Sequence, residues 1–189
     1  SVQQTSAGPF AGQVQFQGTG IAGTADLSAQ GKPQRADLRA TASNATIPGN
    51  TEFTIGRALV SASVVLDQTP QIVAGAQIAN VRRGEFVIKT GRAKINYQGG
   101  SGTAQLVANG STGVPFAIGV NARLAPDQWL AAVQGSASGI GFRTAGPARI
   151  AVDEGSYRLP PTRVDFDRGS VRLAGSYGDG TVLQARIDK

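Results

Sequence analysis

No cysteine, histidine or methionine occurs in the 189 residues. Each absence removes a class of chemistry. Without cysteine there is no disulfide, no thiolate nucleophile and no thiolate metal ligand. Without histidine a Ser-His-Asp triad cannot be assembled. Zero cysteine leaves the compartment open, because it suits reducing and oxidising spaces alike. Aromatic residues make up only 6% of the chain and charged residues only 16%, against 40% hydrophobic. Disorder needs low hydrophobicity and high charge, so the chain is expected to fold. Nor is there an unbroken run of about 18 apolar residues or a signal-peptide core. A start at Ser1-Val2-Gln3 without methionine reads as a fragment or processed product.

The net charge is +6, from 14 Arg and four Lys against 12 acids. Basic balance invites a nucleic-acid reading. Only Arg82 and Arg83 are adjacent, however, and single-strand binding needs aromatics interleaved with the cations. No nucleic-acid partner is expected. A solvated basic face fits better, with an acidic lipid headgroup as the more informative partner.

What the sequence has in quantity is glycine, 26 residues, and period-two alternation. Gln13-Val14-Gln15-Phe16-Gln17 alternates polar and apolar, as do Ala36-Asp37-Leu38-Arg39-Ala40 and Glu85-Phe86-Val87-Ile88-Lys89. Later segments repeat the pattern through Arg163-Val164-Asp165-Phe166-Asp167 and Val182-Leu183-Gln184-Ala185-Arg186-Ile187. Alternate side chains of a strand point to opposite faces, so each segment has one apolar and one wet side. Turns are expected at Gln98-Gly99-Gly100, Asn109-Gly110-Ser111, Asp167-Arg168-Gly169 and Asp179-Gly180. At one strand per 8–12 residues the chain holds roughly 14–18 strands. The only helix candidate, 126–133, reads rather as a strand with Trp129, Ala131 and Val133 on one side. The fold class is therefore all-β, a long antiparallel meander in a single domain, 1–189. A composition shift at 67–70 marks a kink, not a boundary.

Motifs that could carry chemistry lack their context. Gly18-Thr19-Gly20-Ile21-Ala22-Gly23 matches a dinucleotide-binding pattern, but a half-polar strand precedes it and no helical period follows. A glycine-spaced turn explains it. Asp165 and Asp167 lack the third oxygen ligand and the bidentate Glu of a calcium loop. Asp153 and Glu154 are neighbours and face opposite ways in a strand, so they make no glycosidase pair. A Ser-Lys dyad would have to use Lys32, Lys89, Lys94 or Lys189, and none lies in a nucleophile turn. No catalytic residue, metal or cofactor is expected.

The alternation assigns an inward set: Phe16, Phe86, Ile88, Ile95, Phe116, Ile118, Val120, Ile140, Phe142, Ile150, Val152, Val164, Phe166, Val171, Leu173, Leu183 and Ile187. A sheet of this many strands must curl, close or pack on another. Bulky residues are too few among Ala and Gly for a sandwich core. An open, curled, apolar-lined groove is the expected form, and it would suit lipid acyl chains at roughly 0.8 kcal/mol per buried CH₂.

In texture the chain resembles the β-rich region of the AsmA-like, TamB-type envelope proteins of Gram-negative bacteria. The resemblance is carried by Ala58-Leu59-Val60-Ser61-Ala62-Ser63-Val64 and by the run from Gly155-Ser156-Tyr157-Arg158-Leu159-Pro160-Pro161 through Asp167-Arg168-Gly169 to Asp179-Gly180. It implies a periplasmic, taco-like sheet that conducts phospholipid between inner and outer membrane. It also implies an inner-membrane anchor elsewhere in the full-length protein and a BamA-like outer-membrane barrel as partner. The family offers no catalytic residues to carry over. Two other readings stand beside it: a β-sandwich or solenoid adhesin module, and a scaffold for outer-membrane protein assembly that works through its strand edges.

Overall fold

The computed structural model describes residues 2–4, 10–29, 33–48, 52–178 and 180–188. Fifteen strands and no helix occur among them. The first five are β1 (Val2–Gln4), β2 (Phe10–Gly18), β3 (Ile21–Ser28), β4 (Gln34–Ile47) and β5 (Phe53–Leu66). Then come β6 (Gln71–Arg83), β7 (Phe86–Gln98), β8 (Ser101–Thr112), β9 (Val114–Leu124) and β10 (Gln128–Ala137). The last are β11 (Ile140–Thr144), β12 (Ala148–Asp153), β13 (Ser156–Phe166), β14 (Ser170–Tyr177) and β15 (Thr181–Asp188).

All fifteen lie in one antiparallel sheet, and, β11 and β12 apart, each strand pairs with its sequence neighbour. Such a meander needs only short turns, which is why glycine is so frequent. Positive φ at Gly20, Gly99, Gly100 and Gly169 confirms the turn role at those sites. β11 and β12 share one position: both pair with β10 on one side and with β13 on the other. Residues 145–147 join them. Pro160 and Pro161 sit at a second irregularity, where the β13–β14 register shifts between Leu159 and Thr162. A bulge is where a sheet tolerates residues that donate no ladder hydrogen bond. Of the segment 126–133, residues 128–133 form the start of β10 and 126–127 the bend before it. Residues 67–70 form the β5–β6 connection, and the sheet continues across it without a break.

Asn109-Gly110-Ser111 is not a turn but lies inside β8, with Gly110 buried. Its glycine serves close approach: a Cβ there would run into the Val87 carbonyl and come within 3.0 Å of the Phe116 ring. In the hairpin expected at Asp179-Gly180, Asp179 lies outside the described residues, while β14 and β15 do pair antiparallel around it.

The alternation breaks along one line across β4 to β7. On β8, Ala108 and Gly110 are two apart and so share a side; their partners on β7 are Gly91 and Ile88, three apart. The same three-residue step recurs between Ile78 and Val81, Ile55 and Ala58, and Ala42 and Ala45. Asn44 (φ 48°) and Asn80 (φ 53°) absorb the extra residue in the left-handed region, where asparagine is tolerated better than most residues. The β2–β3 turn docks on this line through the Ser43 N–H, which donates to the Gly20 carbonyl at 2.8 Å. Ala42, Ala45, Val81, Gly91 and Gly110, all beside the line, are among the few buried residues of the sheet.

Candidate functional site

Directly paired residues of adjacent strands place their side chains on the same face. Following the register therefore sorts the whole chain into two faces. One row runs Leu27, Ala36, Val64, Ile72, Tyr97, Gly102, Leu124, Trp129, Ile150 across nine strand positions. The next row on that side runs Ala25, Leu38, Ala62, Ala74, Ile95, Ala104, Ala122, Ala131, Ala148. Neither row contains a charged residue. On the opposite side a row reads Gln15, Thr24, Arg39, Ser61, Gly75, Lys94, Gln105, Asn121.

All seventeen residues of the expected inward set lie on the apolar face, from Phe16 on β2 to Ile187 on β15. The break in alternation on β7 is what lets Phe86 and Ile88 share a side with Ile95. The face also extends over β3 to β6 through Leu27, Leu38, Val60, Ile72 and Ile78, which the sequence reading did not select. Their strands are Ala-rich, so bulk gave little signal there. Trp129 and Leu106 belong to the face too.

No second layer covers this face among the described residues. Among the described residues the buried apolar set is small (Ala42, Ala45, Val81, Ala131, Ala148 and Val164), and no large side chain is fully buried. Of the large apolar side chains left exposed, only Leu59, Val73, Val107 and Val182 point to the polar side. The rest, among them Phe86, Leu106, Ile140 and Leu183, lie on the apolar face. Monomeric soluble proteins rarely leave so large an apolar surface open without a binding purpose.

The face is kept low by a repeated pairing. Phe16, Ile78, Phe116, Phe142 and Leu183 each stand opposite a glycine: Gly23, Gly91, Gly110, Gly135 and Gly175. The large side chain lies over the space a Cβ would fill, at 2.7 Å from it for Phe142 over Gly135 and 2.8 Å for Ile78 over Gly91. An aromatic or branched residue laid across a glycine shields the bare backbone and adds little height.

The polar face carries ordinary strand electrostatics. Arg35 contacts Asp37 at 2.7 Å and Arg163 contacts Asp165 at 2.6 Å, both between residues two apart on one strand. The hydrogen bond from Arg35, with a second from Ser63, holds the Asp37 carboxyl below the usual aspartate range. Asp165 and Asp167 sit on β13 and its following turn, and the Gly141 N–H donates to Asp167 at 3.0 Å. No cluster of three acidic, histidine or cysteine groups occurs among the described residues. Gly18 to Gly23 form the β2–β3 hairpin. Lys32 and Lys189 lie outside the described residues.

A depression of about 1070 Å³ does not open on the apolar face. Two polar-face rows bound it, with Thr90, Arg92, Gln134, Arg143 and Asp165 in them, and the backbone of Gly91, Ala108 and Gly135 lies between. Its walls are exposed side chains, so it is an open furrow and not an acyl-chain cavity. The surface that suits a hydrophobic ligand is the continuous apolar face. No protein-family model matches this chain, and no curated protein or solved structure matches it either.

Proposed function

We propose that this chain is a non-enzymatic lipid conduit or scaffold, whose apolar face holds the acyl chains of phospholipid moving between inner and outer membrane. The observation that carries this reading is one apolar face, thirteen strand positions wide from β2 to β15, with no second layer upon it among the described residues and a single charged side chain, Arg83, at one end. A sandwich adhesin would need a second sheet, and the described strands form one. On this reading the sheet stands in the periplasm, the full-length protein is held in the inner membrane, and a BamA-like barrel receives the lipid. The bulges along the line through Asn44 and Asn80 support a curled rather than flat sheet, because bulges bend a strand. Burial of acyl methylenes on this face drives binding without any charged pocket.

Native mass spectrometry of the purified chain, followed by lipid extraction, tests the proposal. The expected result is phospholipid bound to the folded chain, lost on delipidation and regained on exposure to phospholipid. A chain that carries none and takes up none contradicts it.

A further inference from the structure

The apolar face is banded from one end of its strands to the other. All three tyrosines and the single tryptophan lie at one end. Tyr97 and Trp129 share the Leu27–Ile150 row, and Tyr157 and Tyr177 pair with each other one step further out. Their rings touch in series: Trp129 to Tyr157 at 5.0 Å between centroids and Tyr157 to Tyr177 at 6.2 Å. Tyr177 is 62% exposed. At the opposite end stand five of the seven phenylalanines. Phe86 stacks on Phe116 at 5.9 Å and Phe142 meets Phe166 at 6.2 Å, while Phe53 faces Arg83 across the β5–β6 pair. Between the bands, β8 to β10 present Ala104, Ala122, Ala131, Leu106, Val120 and Val133.

A uniform apolar occupant has no use for this order. Tyrosine and tryptophan join an apolar body to a hydrogen-bonding tip and are favoured where one end of a contact is dry and the other wet. Phenylalanine has no such tip. We infer that the face takes its amphiphile in one orientation, with the glycerol and headgroup end at the Tyr97–Trp129–Tyr157–Tyr177 rim and the tail running along the strands toward Phe142. The face is long enough for this. Trp129 and Gly135 are six residues apart on β10, about 20 Å, against about 15 Å for one leaflet's hydrocarbon depth. This inference rests on the lipid reading above and adds a polarity to it.

Trp129 is its own reporter, since the chain has no other tryptophan. The purified chain is mixed with phosphatidylethanolamine brominated either near the glycerol or near the methyl end of one acyl chain, and tryptophan quenching is measured. The two labels differ by roughly half a leaflet in depth, so the near-glycerol label is expected to quench Trp129 about twofold more. In the double variant Trp129→Phe/Phe142→Trp the order reverses; Trp129→Phe/Phe116→Trp serves should that variant misfold. Quenching with equal order at both ends, or with the opposite order, overturns the orientation while leaving lipid binding intact. Absence of quenching by either label at either end removes the lipid reading itself, and the orientation with it.

Discussion

Leu106→Glu is expected to lower phospholipid retention about tenfold or more, whereas Val107→Glu, one residue along, leaves it unchanged. Both side chains are partly open to solvent, at 39% and 55% exposure, and both substitutions add the same charge to the same strand. They differ only in face. Leu106 pairs with Val120 in the middle of the apolar band, and Val107 pairs with Gly119 beside the polar furrow. A carboxylate under an acyl chain must give up hydration without a partner, because no cation lies in the adjacent apolar rows. Losing contact with even two methylenes removes roughly 1.6 kcal/mol, more than a tenfold change in affinity. Lipid counted per chain by native mass spectrometry, at matched far-ultraviolet circular dichroism, reads the difference.

Gly110→Ala is expected to destabilise the fold by about 3 kcal/mol, near the upper end for an added buried methyl. For a chain of this size that lowers the melting temperature by roughly 6–12 °C. The reason is backbone, not rotamer. A Cβ on Gly110 meets the Val87 carbonyl and the Ile88 Cα at 3.0 Å, on the strand already bulged between Ile88 and Thr90. The Phe116 ring closes the third side. Gly75→Ala is the contrast: its Cβ would meet nothing closer than 3.8 Å, on the polar face. Alanine there removes only the entropic weakness of glycine in a strand, so stability changes by less than about 0.5 kcal/mol and in the favourable direction. Thermal melts of both variants separate glycine used for close approach from glycine used by default.

These two sites show what a reader of the sequence sees and what stays hidden. The meander and its two faces were legible, because alternation and glycine turns are local signals. The seventeen bulky residues fell on one side for the same reason. Phe86 and Ile88 group with Ile95 only when each short segment is phased by itself; a single alternation carried through β7 separates them. Asn109-Gly110 reads as a turn from sequence, since Asn-Gly looks the same whether it reverses a chain or clears space for a neighbour. The pairing of Phe116 with Gly110, or of Phe142 with Gly135, lies in the register and not in either strand's own pattern. Glycine-rich strands specify register weakly, so no local rule recovers those partners. The Ala-rich strands β3 to β6 were under-read because a face built from small residues carries little bulk to notice. The banding of tyrosine and tryptophan against phenylalanine became visible only once the strands were aligned end to end.

A lipid on the apolar face should hide one side of the sheet and leave the other alone. The chain has no native cysteine, so single-cysteine variants report one position each. Ile118→Cys lies on the apolar face opposite Ala108 and Gly135, and Ala117→Cys, its neighbour, lies on the polar face opposite Asn109 and Ser136. Alkylation by a water-soluble maleimide is followed before and after loading with phospholipid. Loading is expected to slow modification at Ile118→Cys about tenfold or more and to leave Ala117→Cys unchanged, a difference equivalent to about 1.4 kcal/mol of protection. Equal rates at Ile118→Cys with and without phospholipid would contradict the lipid reading.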